Sequence, residues 1–196
     1  MKMIEHADST TNPTQTKWFD ASEERPGLQV WSTAGRLEEL AFSLVQELTL
    51  DGERVIAIDA SRCFEPSNAG KYPAATNLRV IRVENTGELQ TALWTVLRDG
   101  SSATRTHRVL LTGVLEQLYG TDLLTRDAAR VLGRIKIAMD AMVRAGMEVV
   151  VACRASSSAL GVRSYFLSSL CAVADQVHVF PSASQQYVDS TTSAIA

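Results

Sequence analysis

Three short runs of this chain, "VIAIDA", "VLLTGV" and "MEVVVACR", are apolar at consecutive rather than alternate positions. A strand with one wet face alternates polar and apolar residues, so a continuous apolar run asks to be covered on both sides. The segments between these runs carry apolar residues at helical spacing. Leu37, Leu40, Ala41, Leu44, Val45 and Leu48 form one such stripe, Leu89, Ala92, Leu93, Val96 and Leu97 a second, and Val131, Leu132, Ile135, Ala138, Met139 and Met142 a third. Buried strands linked by amphipathic helices are the signature of a mainly parallel sheet with helices on both faces. The expectation is a three-layer α/β domain.

"GLQVWS", "LRVIRV" and "DQVHVF" supply further strands, and "SYFLSSLCAVA" a weakly helical stretch. The periodic pattern occupies residues 26–180. Residues 1–25 are polar without an apolar segment of signal-peptide type, and 181–196 are rich in Ser, Thr and Gln, so both are read as disordered flanks of a single domain. No run is long and apolar enough to cross a bilayer. Nineteen basic and 22 acidic residues leave a net charge of −3, which excludes recruitment of nucleic acid by the field of the whole molecule and confines any such contact to a local patch. Cys63, Cys153 and Cys171 stand singly. They have neither zinc-ligand nor paired spacing, which implies a reducing, cytoplasmic setting, no metal and no disulfide-linked partner.

The turn after the first strand has the outline of a phosphate loop. A working loop reads G-x-x-x-x-G-K-[ST], in which glycines let backbone N–H groups wrap the phosphates, Lys reaches the terminal ones and the hydroxyl holds magnesium. The same frame here is Val30, Trp31, Ser32, Thr33, Ala34, Gly35, Arg36 and Leu37. Only the second glycine is kept. Arg36 has charge without a compact ammonium, and Leu37 has no oxygen for a metal. Glu38 and Glu39 occupy the first helical turn, where they answer the helix dipole and repel a phosphate. Ser32, Thr33, Gly35 and Arg36 therefore form a degenerate nucleotide loop.

Beyond the loop, "STAGRLEELAFSLVQELTLDGERVIAIDASRCFEP", "RVLLTGVLEQLYG" and "GMEVVVACR" with the Ser-rich loop and "ADQVHVF" after it resemble, in order and spacing, the core of the RecA-like recombinase and ATPase superfamily. The resemblance runs from Gly27 to Phe180. It implies a RecA-like fold and a nucleotide site, but the position of the family's magnesium-ordering aspartate is Gly113 here, preceded by Thr112. Glu116, three residues on, is placed by its spacing in a loop or on a solvated face rather than as a substitute acid. Asp59, in "AIDA" at a strand C-terminus, points toward a ligand crevice or tethers the next loop. With glycine, lysine, hydroxyl and acid all missing, the chain is similar to ATPase-deficient recombinase paralogues of the Shu-complex kind. It is read as a pseudo-ATPase without cofactor, acting as a binding subunit for a recombinase-family partner in recombination and DNA repair. The alternatives are an ATPase using Arg36 and Glu116, and a scaffold without DNA contact.

Candidate contacts follow from composition. The loop "RASSSALGVRSYF" holds Arg154, Arg163 and Tyr165 with no acid, a mixture suited to phosphate contacts and base stacking. Trp18 and Phe19 form an apolar pair inside the polar N-terminal arm and are candidates for docking a partner. Arg126, Arg130, Arg134 and Lys136 read as the solvated side of a helix. His6, His107 and His178 are isolated, without the neighbours of a triad or metal site.

Overall fold

A computed structural model of the chain describes residues 27–50, 52–65, 77–100, 108–119, 124–154 and 165–180. The elements run β1 (Leu28–Thr33), α1 (Leu37–Thr49), β2 (Val55–Asp59), β3 (Leu78–Arg82), α2 (Thr86–Gly100), β4 (Arg108–Thr112), α3 (Val114–Tyr119), α4 (Thr125–Arg144), β5 (Glu148–Arg154), α5 (Tyr165–Cys171) and β6 (Gln176–Phe180). All six strands pair in parallel, in the order β3-β2-β4-β5-β1-β6. The three-layer α/β architecture expected from the sequence is the one observed.

The two faces of the sheet bury separate cores. Trp31, Val55, Ala57, Leu110, Val150 and Ala152 pack against α1 on one side. Val30, Ile58, Val109, Leu111, Val149 and Val151 meet α2, α3, α4 and α5 on the other. Adjacent residues of β4 thus serve opposite cores, Leu110 the first and Leu111 the second, and this is what a continuous apolar run provides. At roughly 1.5–3 kcal/mol per fully buried aliphatic side chain, these two layers are the main favourable term of the fold. Helix α4 extends beyond the Val131–Met142 stripe at both ends, and its Ala128, Leu132, Ile135, Ala138, Met139 and Met142 are buried.

Two expectations need correction. Coverage on both faces holds for the inner strands but not at the edges: β3 and β6 are largely exposed, with Val80, Val177 and Val179 open to solvent. The segment after β4, read only as motif sequence, folds as the short helix α3. Its Leu115 and Leu118 are buried in the same core as Phe166 of α5, whose ring stacks on Tyr119.

At the N-terminal end of the sheet, Arg108 of β4 meets Glu148 of β5 at 2.8 Å and Glu53 at 3.6 Å. It also donates from Nη1 to the Leu48 carbonyl. Burial raises the Glu148 carboxyl above its ordinary value even though the Arg108 charge opposes the shift. On α4, Arg126 and Arg134 are solvated as expected, and Arg130 pairs with Asp127 at 3.2 Å. Lys136 departs from the expected solvated series. Its ammonium donates to both the carbonyl and the hydroxyl of Ser169, tying α4 to α5.

Candidate functional site

In an open parallel sheet, ligands settle beyond the C-terminal strand ends, where neighbouring connections depart in opposite directions. The chain leaves β2 toward β3 on one side and β4 toward β5 on the other, so that place is the junction of Asp59 and Thr112, which lie side by side in register. The degenerate loop follows β1 along the same edge, and Thr33 is in register with Arg154 of β5. The fold therefore brings the loop, Asp59, Thr112–Gly113, Glu116 and Arg154 to one rim. Tyr165 begins α5 and is exposed, its ring packed edge-on against Phe166 at 4.5 Å. Arg163, Trp18, Phe19, His6 and His107 lie outside the described residues.

Asp59 is fully buried and occupied. Its Oδ1 accepts from the Ser61 N–H (3.2 Å), the Cys63 N–H (3.1 Å) and the Thr112 hydroxyl (2.8 Å), and its Oδ2 from the Phe64 N–H (2.9 Å). Of the two roles weighed for it, tethering is the one its bonds perform. The loop "DASRCF" closes as an Asx-type turn over the strand end, so the carboxylate is engaged by the backbone that follows it. Within it, burial pushes the Cys63 thiol up to about 12, so it stays protonated at neutral pH.

Gly113 has φ +75°, the left-handed region where a side chain is strained. A Cβ built there would stand 2.4 Å from Ser61 Cβ and 2.7 Å from the Ser61 nitrogen. Neither distance is compatible with an L-residue. A carboxylate at this position is therefore excluded by the packing of the β2 and β4 ends against each other, and Gln117 of α3 reinforces that packing by donating from Nε2 to the Ala60 carbonyl.

The degenerate loop is likewise closed on itself. Thr33 Oγ1 accepts from the Gly35 N–H at 3.0 Å, taking up a donor of the kind a phosphate would use. Ser32 donates from Oγ to the His178 carbonyl of β6 at 3.3 Å. Both side chains are buried. Arg36 occupies the N-cap of α1 without a capping bond, and its Nε lies 3.9 Å from both Glu38 and Glu39. The carboxylates of the first turn thus face the only cation of the loop.

Glu116 contradicts its sequence reading. It lies on α3 with its carboxyl largely buried, not in a loop or on a solvated face, because α3 turns this side chain toward the end of β5. Oε1 accepts from the Arg154 N–H at 3.1 Å, and the buried Oε2 has no hydrogen-bond partner among the described residues. Burial raises its pKa above the ordinary 4.5, although hydrogen bonds and the Arg154 charge oppose the shift. The signal available in the sequence was the helical spacing of Leu115 and Leu118, which bracket Glu116 on a helix too short to display a full period.

Among the described residues, no cluster of His, Cys, Asp and Glu could hold a metal, and no helix is long and apolar enough to cross a membrane. No protein-family model matches the chain, and no curated protein matches it in sequence.

Two outcomes follow. Gly113→Ala should cost at least about 2 kcal/mol in urea unfolding, from left-handed strain and overpacking together, and Gly113→Asp should also destabilise while binding no magnesium. Glu116→Gln keeps an acceptor for the Arg154 N–H and removes a buried charge. Because the native carboxyl binds its proton more tightly than the unfolded one, wild-type stability falls as pH rises above about 4.5 toward the folded value. The stability difference should therefore shift in favour of Glu116→Gln between pH 4 and pH 7, read from paired denaturation curves.

Proposed function

We propose that this chain is a non-catalytic RecA-like protein that acts inside the cell as a binding subunit of a recombinase-related complex in homologous recombination and DNA repair. The observation that carries the reading is the internal occupation of the rim where nucleotide chemistry would sit. Asp59 accepts three backbone N–H groups and two hydroxyls of its own chain, Gly113 has no space for an acid, and Thr33 engages the Gly35 N–H. Motifs that resemble those of the recombinase superfamily fall in order along that rim, which supports the family assignment. An ATPase using Arg36 and Glu116 is disfavoured, since Arg36 faces two carboxylates and Glu116 is turned to the Arg154 backbone.

Binding in place of catalysis leaves Arg154 and Tyr165, both exposed at the ends of the segment that joins β5 to α5, to contact DNA together with Arg163. The protein partner is a member of the recombinase family, and Trp18 and Phe19 are the residues proposed to dock it.

Calorimetry should give no saturable heat with Mg-ATP. Micromolar binding weakened by Arg36→Ala would overturn the pseudo-ATPase reading in favour of the ATPase. Fluorescence anisotropy at two salt concentrations, with the natural partner present, tests the DNA contact. Replacing Arg154 and Arg163 together by Ala should weaken binding to all sequences alike and lower the salt slope by about 2, one for each lost phosphate contact. Tyr165→Ala should cost about 1–3 kcal/mol on single strands, where a base can stack, and less on duplex. Absence of binding at either salt would leave the scaffold function.

A further inference from the structure

On the face of the sheet that α2 covers, Ile58 of β2 and Ile81 of β3 are in register and pack into the core. Toward the N-terminal ends of the same strands the apolar pairing stops. Ile56 is in register with Arg79, and because alternate residues share a face, Arg54 stands on that face as well, diagonally across from Arg79. The Asn77 carbonyl accepts from the Val55 N–H, which carries the ladder past the strand starts and sets Asn77 beside Arg54. Its side chain is held in place by donating from Nδ2 to the Gly52 carbonyl at 2.9 Å. Helix α2 ends at Gly100, and the space between its end and the strands is a cavity of about 370 Å³, lined by Arg54, Ile56, Asn77, Arg79, Asp99 and Gly100 among others.

The charges around this cavity are not matched within the chain. Arg62, Arg108, Arg130 and Arg144 each meet a carboxylate at 3.2 Å or less. Among the described residues, neither the Arg54 nor the Arg79 guanidinium pairs with a carboxylate or donates a hydrogen bond. The acid that lines the cavity, Asp99, lies 3.5 Å from its neighbour Arg98. Two like charges brought together on one face of a sheet repel, and two guanidinium forks on one cavity offer the planar, multiple donors that suit the oxygens of a phosphoryl group. The helix side of the cavity has the opposite character, since Asp99 and the C-terminal end of α2 are rich in acceptors and carry negative charge. That side repels a second phosphate and accepts hydroxyl donors. The volume is at the lower end of the range of small-molecule sites and exceeds what an inorganic phosphate fills.

We propose that this cavity, at the end of the sheet opposite the degenerate nucleotide loop, binds a small sugar phosphate, its phosphoryl group on Arg54 and Arg79 and its hydroxyls toward Asp99 and the end of α2. The test is calorimetry on the full chain with ribose 5-phosphate, inorganic phosphate and ribose as separate probes. Ribose 5-phosphate should bind saturably and at least about tenfold more tightly than either part, the gain that one further charge-assisted hydrogen bond provides. Arg54→Gln and Arg79→Gln should each weaken it about tenfold or more with unchanged circular dichroism. Arg144→Gln, which removes the same charge from α4, should bind as the wild type does. Absence of saturable binding, affinity indifferent to Arg54→Gln and Arg79→Gln, an equal loss in Arg144→Gln, or ribose 5-phosphate binding no tighter than inorganic phosphate would each overturn the proposal.

Discussion

The carboxylate of Asp59 holds together the part of the molecule on which the rest of the functional rim depends. Three backbone N–H groups and two hydroxyls, those of Ser61 and Thr112, converge on it in a fully buried position. The Cys63 and Phe64 N–H groups are buried donors that would lose their partner without it, at about 1–3 kcal/mol apiece. The bonds fold residues 60–64 over the end of β2 and, through Thr112, fasten β2 to β4 at the last pair of the ladder. Ser61 is thereby pressed against Gly113, and Gln117 is brought to the Ala60 carbonyl. One acid organises the end of the sheet, and in doing so it occupies the crevice that such sheets use for ligands.

The same economy recurs along the rim. Thr33 engages the Gly35 N–H, Ser32 engages β6 and Glu116 engages the end of β5. Polar groups that resemble the apparatus of a phosphate site are committed to neighbours inside the chain. This is consistent with the proposed role of a subunit that binds through its surface, where Arg36 and the exposed ends of the segment after β5 are accessible.

Architecture was legible in the sequence because it depends on periodicity. Consecutive apolar residues such as Leu110 and Leu111 report burial on both faces, and the stripe on α4 reports its buried face. The edges were less legible: Val177 and Val179 alternate with Gln176 and His178, the pattern of a strand with one open face, but only strand order shows that the open face is the valine one. Within the site, the missing lysine and hydroxyl could be read directly. The fit of Gly113 against Ser61 could not, because residues 52 positions apart meet only through the register of β2 and β4. Glu116 was misplaced for a related reason: a six-residue helix is too short for its buried side to be inferred from spacing. The bonds of Asp59 lay between, since an Asx turn is visible in "DASRCF" while the bond to Thr112 is not.

The contact at Gly113 also sets an order of operations for protein engineering. Installing an acid at the end of β4 is a one-codon idea that the backbone refuses, because the space it needs is already held by the turn that Asp59 closes. A designer wishing to build a magnesium site would have to rebuild residues 60–64 first, release Thr112 and Gln117 from that turn, and only then introduce the carboxylate. The substitutions are individually unfavourable in one sequence and workable in another, so a search that samples them singly would discard each before the useful combination was reached.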